Sequence, residues 1–181
     1  MSFALRAARL DEVAELEALI ALSARTLLAP WYSPAQIDAA IGSVFAVDVQ
    51  LIDDGTYFVA AHDGTIVGCG GWSRRKTLFG RARGHTSEPD SALDPATDPA
   101  RIRAFFVHPA HARRGIGAAL MRHCERAAAG AGFRSMELVA TLGGQPLYAA
   151  FGFAALDPFE VPLAGALAMP VVRMRKQIAA P

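Results

Sequence analysis

One junction limits what this chain can fold into more than any other feature. Ile102-Arg103-Ala104-Phe105-Phe106-Val107 is a near-continuous apolar run, the pattern of a central strand covered on both faces. After seven intervening residues Gly115-Ile116-Gly117-Ala118 opens a segment in which Ile116, Leu120 and Cys124 recur at helical spacing, with Arg122, Glu125 and Arg126 on the opposite side. A strand that feeds a helix through a turn carrying Arg113, Arg114 and two glycines brings three things to one point. These are unpaired backbone N–H groups, the positive end of a helix, and two cations. Such a point suits a phosphate or pyrophosphate.

The remaining elements arrange themselves around that unit. Phe3 to Ala7 reads as a short strand. Asp11 reads as the N-cap of a helix in which Val13, Leu16, Ile20 and Leu27 form the apolar stripe and the early glutamates face outward. Ser33-Pro34-Ala35-Gln36 has capping-box spacing with proline at the first helical position, and Ile37, Ala40 and Ile41 form the buried face. Asp53-Asp54-Gly55 marks a turn. Tyr57 to His62 and Ile66 to Trp72 are strands joined at Asp63-Gly64, a two-residue hairpin signal. From Ser73 to Ala100 periodicity stops. Arg74, Arg75, Lys76, Arg81 and Arg83 occupy the first half of that stretch, and Glu88, Asp90, Asp94 and Asp98 the second. Such a long excursion is either a functional lid or a disordered loop.

Past the junction, Gly130 to Gly132 ends the helix and Met136 to Ala140 forms a strand. Gly143-Gly144 precedes a short helix from Gln145 to Phe151, Gly152 breaks it, and a strand begins at Phe153. A last strand lies near Val171 to Arg175. Helices first, then an antiparallel hairpin, then a βαβ-like unit describe an α+β fold. At 181 residues the whole chain, 1–181, is expected to be one domain around one core.

A net charge of +1 gives no electrostatic reason to expect nucleic acid or a membrane as partner. Asp11, Glu12, Glu15 and Glu17 interrupt the region where a signal peptide needs its apolar stretch, and the apolar segment from Val161 to Val172 is broken by Pro162 and Pro170. A cytoplasmic location is expected. Cys69 and Cys124 lack CxxC or Cys/His spacing, so reduced core thiols are favoured over a disulfide. No cluster has metal-ligand spacing, and no metal is expected. Strand edges near the C-terminus leave room for a homodimer.

Two nucleotide motifs fit the glycine turn poorly. A Walker loop requires Gly-Lys followed by Ser or Thr, which is missing here. A dinucleotide fingerprint requires a third small residue where Leu120 stands. Its strand also runs straight into the glycines, although Glu137 lies twenty residues past Gly117, where the ribose-binding acid would be.

The junction resembles that of the GNAT superfamily of acyl-CoA-dependent N-acetyltransferases. Val107 and Pro109 match the family's lead-in, and Gly115 and Gly117 match its glycines. Ala112 stands where the family carries Arg or Gln, with Arg113 and Arg114 beside it. The later segment Leu147-Tyr148-Ala149-Ala150-Phe151-Gly152-Phe153 is similar to the family's tyrosine motif, with Gly-Phe four and five residues after the tyrosine. The resemblance implies a mixed sheet of six or seven strands with about four helices, and strands splayed at an acetyl-CoA site. It implies that Ala112, Arg113, Arg114, Gly115, Ile116, Gly117 and Ala118 cradle the pyrophosphate. Phe105, Phe106 and Val107 would align the pantetheine and acetyl group, and Thr141, where many relatives carry Asn, would bond the pantetheine arm. Tyr148 would protonate the leaving thiolate, since a phenol is protonated at neutral pH.

The acceptor amine must lose a proton. Arg101 and Arg103 stand where some relatives place an acid, which leaves Glu137 on the neighbouring strand as the best-placed carboxylate. His85 and Glu88 on the long loop could also reach a substrate, while His108 and His111 read as surface residues. Trp31, Tyr32, Trp72 and Ser73 are the candidate acceptor contacts by analogy with relatives, and Arg74 and Arg75 hint at an anionic group on the acceptor. The leading expectation is acetyl transfer to a primary amine of a small molecule or a peptide N-terminus by direct attack. The alternative is a non-catalytic acyl-CoA-binding sensor or scaffold.

Overall fold

A computed structural model describes residues 2–76 and 91–179, and His85 and Glu88 lie outside the described residues. Its strands are β1 (Ala4–Ala7), β2 (Tyr57–His62), β3 (Thr65–Ser73), β4 (Ala100–Val107), β5 (Ser135–Thr141), β6 (Ala154–Pro162) and β7 (Ala168–Gln177). They form one sheet in the order β1-β2-β3-β4-β5-β7-β6. Every pairing is antiparallel except β4 with β5. The helices are α1 (Val13–Leu27), α2 (Pro34–Ala40), α3 (Val49–Asp53), α4 (Ile116–Gly130) and α5 (Gln145–Ala150). This is the mixed, helix-flanked sheet expected from the element order.

Each face of the sheet carries its own core. On one, α4 buries Ile116, Leu120, Met121, Cys124 and Ala128 against Phe133, Met136, Leu138 and Trp72. On the other, α1 buries Leu16, Leu19, Ile20 and Ala24 against Val59, Cys69 and Val171. Both cysteines are buried free thiols. Among the described residues no helix is long and apolar enough to cross a membrane, and no three metal-ligating side chains gather.

Several local signals act as the sequence suggests. Ser33 Oγ accepts from the Gln36 N–H while Gln36 Oε1 accepts from the Ser33 N–H, closing the capping box with Pro34 at the first helical position. Asp63 and Gly64, both at positive φ, turn the β2–β3 hairpin.

The first helix starts differently from expectation. A 3-10 turn over Leu10–Glu12 precedes α1, and the cap is Glu12 rather than Asp11, its carboxylate accepting from the Arg9 N–H at 2.9 Å. Glu12 does not face outward. It is 6% exposed, held by Arg6 and Arg9, and Arg6 keeps its carboxyl below the ordinary range. The segment that leads into β2 contains α3, which the periodicity did not announce because it is only five residues long. The excursion after β3 is anchored at its base: Arg75 pairs with Ala92, Leu93 is buried, and the Leu93 N–H donates to the Arg74 carbonyl at 2.7 Å.

Candidate active site

The site begins where the sheet comes apart. The β4–β5 ladder is confined to Ala100 with Met136 and Arg101 with Glu137. From Ile102 onward β4 stays with β3, while β5 follows β7 along its full length. A wedge therefore opens between two parallel strands, and the β5-facing backbone groups of β4 are exposed to whatever enters it. An extended ligand with amide groups can pair there as an added strand would.

A bulge shapes the wall of this wedge. Cys69 of β3 pairs with Phe106 and Gly71 with Arg103, so Ala104 and Phe105 face the single residue Gly70. Side-chain alternation slips at that point, with Ala104 on the α1 face and Phe105 on the α4 face. Ala104 sits at φ 54, a left-handed conformation that costs a non-glycine residue about 1–3 kcal/mol. Two donors reach its carbonyl from beneath, Tyr57 Oη at 3.3 Å and Cys69 Sγ at 3.9 Å. Burial pushes the Cys69 thiol up to about 11 and raises the Tyr57 phenol well above its ordinary value, so both remain protonated donors at neutral pH. Gly70 makes the bulge sterically possible: a Cβ there would lie 2.6 Å from the Phe105 ring.

At the open end of the wedge, β4 runs through a 3-10 turn at Pro109–His111 into α4. Gly115, the N-cap, lies at φ 85, and Arg113 at φ 63. No side chain caps α4, so its first-turn N–H groups point toward the turn that Arg113 and Arg114 border. Ile116 anchors the helix in the core, and the Gly117 Cα packs close to Leu147, where a Cβ would meet Cδ2 at 3.2 Å.

A cavity of about 230 Å³ runs through the splay from the α4–α5 side to the α1 side. Phe105, Val107, Gly117, Thr141, Leu147 and Tyr148 line the first side. Tyr148 is 9% exposed, its ring edge-on to Phe105 and Phe153 with centroids 6.4 and 6.1 Å away. Burial pushes its phenol well above the ordinary value, so it stays protonated. Thr141 Oγ1 accepts from the Gly144 N–H at 3.2 Å, which shapes the loop into α5.

The second side is formed mainly by Leu27, Leu28, Val44, Phe45, Val139 and Val171, with Ser23 and the pair Asp48 and Arg103 as its polar residues. Asp48 caps α3, accepting from the Gln50 N–H at 3.2 Å, and accepts again from Arg103 Nη1. Sequence reading missed Asp48. Its visible signal was that of a helix cap, Asp48 just before Val49-Gln50, and its role as partner to a β4 arginine exists only in three dimensions.

Several expected contacts lie elsewhere. Glu137 is not on the cavity wall; its carboxylate is tied to Arg101, its register partner on β4. Trp72 is a core residue, 3% exposed and edge-on to Phe133, with the Arg74 guanidinium 5.7 Å from its ring. Ser73 is buried and caps a turn, accepting from the Arg75 N–H at 3.0 Å. Arg75 grips Asp54 with two hydrogen bonds of 2.8 and 2.9 Å, and neither Arg74 nor Arg75 lines the cavity.

Tyr32 is a clamp: its Oη accepts from the Leu142 N–H and donates to the Pro170 carbonyl, both at 2.8 Å, tying the end of β5 to β7. Trp31 is half exposed and does not line the cavity itself; its ring lies against Gly143, which does, and where a Cβ would approach to 2.9 Å. Ala112 follows the 3-10 turn and is half-buried.

The sequence profile of the acetyltransferase (GNAT) family matches residues 16–153. Among curated proteins, none shows significant sequence similarity to the chain. Solved structures are similar in fold. A GCN5-related N-acetyltransferase from Rhodopseudomonas palustris has a TM-score of 0.73 at 20% identity, covering 98% of this chain and 97% of its own. The PaiA N-acetyltransferase from Thermoplasma acidophilum, solved with coenzyme A, has a TM-score of 0.70 at 16% identity over 98% and 99%. YncA from Salmonella typhimurium, a putative acetyltransferase solved with acetyl-CoA, has a TM-score of 0.65 at 14% identity over 100% and 96%.

Proposed function

The chain belongs to the acetyltransferase (GNAT) family, and on that premise we propose that it transfers an acetyl group from acetyl-CoA to a primary amine of a small molecule or a peptide N-terminus by direct attack. The observation that carries this reading is the cavity through the β4–β5 splay, with Tyr148 on one side and the Leu28–Phe45 wall on the other. A thioester threaded through it would meet an amine without any residue having to serve as an acyl carrier.

The residues present fit the CoA group. Its pyrophosphate would rest on the first-turn N–H groups of α4, from Ile116 to Ala118, with Arg113 and Arg114 beside them. The glycine at 117 leaves the strip of backbone above Leu147 uncovered. The pantetheine amides would pair with β4 backbone between Ile102 and Val107, where β5 has departed. Acetyl-CoA supplies an activated carbonyl and a thiolate leaving group.

The chain's own part in the transfer is positioning and one proton. The bulge at Ala104–Phe105 sets where the acyl end of the thioester stops. Tyr148 Oη gives its proton to the sulfur as the amine nitrogen bonds to the carbonyl carbon and the C–S bond breaks. The nitrogen's surplus proton passes to water, and Tyr148 regains its proton from solvent.

Incubating the protein with acetyl-CoA and a mixture of metabolite and peptide amines, with mass-spectrometric detection of acetylated products, tests the reading. An acetylated amine whose formation needs the protein is the expected result. Calorimetric binding of acetyl-CoA with no product from any amine would overturn it in favour of a binding module.

A further inference from the structure

The wall that would face the amine is apolar except for one ion pair and the hydroxyl of Ser23. Asp48 and Arg103 are 5% and 4% exposed at their side chains and bonded to each other. Among the described residues lining the cavity, Asp48 is the one acid and Arg103 the one strong base. Apart from Ser23, that side is apolar, chiefly Leu27, Leu28, Val44, Phe45, Val139 and Val171.

This composition selects a protonation state. The pair is neutral as a unit, so a neutral guest leaves the cavity uncharged. An ammonium would leave a net positive charge in a desolvated site, which is strongly unfavourable. Desolvation also favours the uncharged form of an amine. A free carboxylate would be no better, because it too would leave a net charge in the desolvated site. Asp48 nonetheless retains acceptor capacity: a carboxylate has about four lone-pair sites, and two are used by Gln50 N–H and Arg103.

We infer that this site takes its acceptor as a neutral amine on a compact apolar body, with Asp48 accepting one N–H hydrogen bond to orient the nitrogen. This rests on the acetyl-transfer reading above and names its substrate class. The amines that meet the requirement near neutral pH are those with a low proton affinity, above all the α-amine of an amino-acid amide or peptide with a small apolar first side chain. Such an amine has a pKa of about 7.7–8.0, against about 10.4 for a lysine-type amine. Polyamines, lysine side chains and free amino acids are excluded by the same charge argument. Loss of the first proton to solvent precedes binding, so no dedicated base is needed for it.

The test is kcat/KM at pH 7.5 with saturating acetyl-CoA for leucinamide, 3-methylbutylamine, leucine and spermidine. Leucinamide and 3-methylbutylamine share an apolar body and differ in amine basicity. Leucinamide is expected to exceed 3-methylbutylamine by about 200- to 300-fold, the ratio of their neutral fractions from the pKa difference, with leucine and spermidine far below both. Asp48→Asn is expected to raise the KM for leucinamide at least tenfold while leaving calorimetric acetyl-CoA affinity within about twofold. If that variant does not fold, Phe45→Trp serves instead: filling the apolar wall should raise the KM for leucinamide more than that for glycinamide. Acetylation of spermidine or 3-methylbutylamine as efficient as that of leucinamide would overturn the inference while leaving acetyl transfer intact. So would an unchanged leucinamide KM in a folded Asp48→Asn or Phe45→Trp variant. No acetylation of any amine would overturn the acetyl-transfer reading itself, and this inference with it.

Discussion

Tyr57 Oη donates a hydrogen bond to the carbonyl of Ala104 at 3.3 Å, from a side chain with no solvent exposure. The bond ties β2 to the one residue of β4 at positive φ, across the intervening β3. A strained conformation persists only where its surroundings over-determine it, and here Tyr57, Cys69 and Gly70 do so together.

Tyr57→Phe removes the bond and keeps the ring. The carbonyl of Ala104 then loses one of its two donors, which should cost about 1–2 kcal/mol of stability. If the bulge sets the stopping point of the thioester, kcat/KM for acetyl-CoA should fall by about tenfold in protein that still melts cooperatively. Steady-state kinetics alongside thermal denaturation check this, and an unchanged kcat/KM at the expected loss of stability would separate the clamp from the chemistry.

Gly70→Ala attacks the same bulge from the other face. The added Cβ would lie 2.6–2.9 Å from three ring carbons of Phe105, so the ring or the strand must move. Overpacking of this kind costs about 1–3 kcal/mol, and Phe105 also lines the cavity. A lower melting temperature and weaker acetyl-CoA binding by calorimetry are expected together.

What could be read in advance follows the range of the interactions. Ser33 with Gln36, and Asp63 with Gly64, act within a few residues, and their elements formed where the sequence suggested. The bulge was invisible because Arg103-Ala104-Phe105-Phe106 reads as uninterrupted strand; only Gly70-Gly71 on the neighbouring strand hints that something large must be accommodated. Glu137 and Trp72 were placed on the right strands, but register and packing decide where their side chains go. Arg101 lies opposite Glu137 and binds it, and Phe133 covers Trp72. Asp48 was legible only as a cap, since its partner lies fifty-five residues away in sequence.

Alkaline pH should weaken the fold. Cys69 titrates near the ordinary thiol value of 9.0 when unfolded and at about 11 when folded. Between those values the unfolded state has lost the proton that the native state keeps, so the unfolded state binds fewer protons and stability falls as pH rises. Two units correspond to about 2–3 kcal/mol. The raised phenols of Tyr57 and Tyr148 act in the same direction at higher pH. Urea midpoints at pH 8 and pH 10.5 should show the loss, and Cys69→Ala should reduce it; equal pH dependence in both proteins would assign the effect elsewhere.

Gly117→Glu places a carboxylate at the first turn of α4, where the N–H groups would meet pyrophosphate. Steric filling above Leu147 and charge repulsion both oppose CoA. Calorimetric affinity for acetyl-CoA should drop by at least a hundredfold, with a melting temperature in the absence of ligand within a few degrees of wild type. Retained affinity would remove this turn from the binding site.

Thiol release from acetyl-CoA by Tyr148→Phe, at saturating acetyl-CoA and amine, tests the central claim most directly. Tyr148 is protonated, buried and on the cavity wall, and loss of a general acid lowers kcat by about 10²–10⁴-fold. A fall of that size, with acetyl-CoA affinity and folding retained, is the predicted result; a kcat equal to wild type would contradict it.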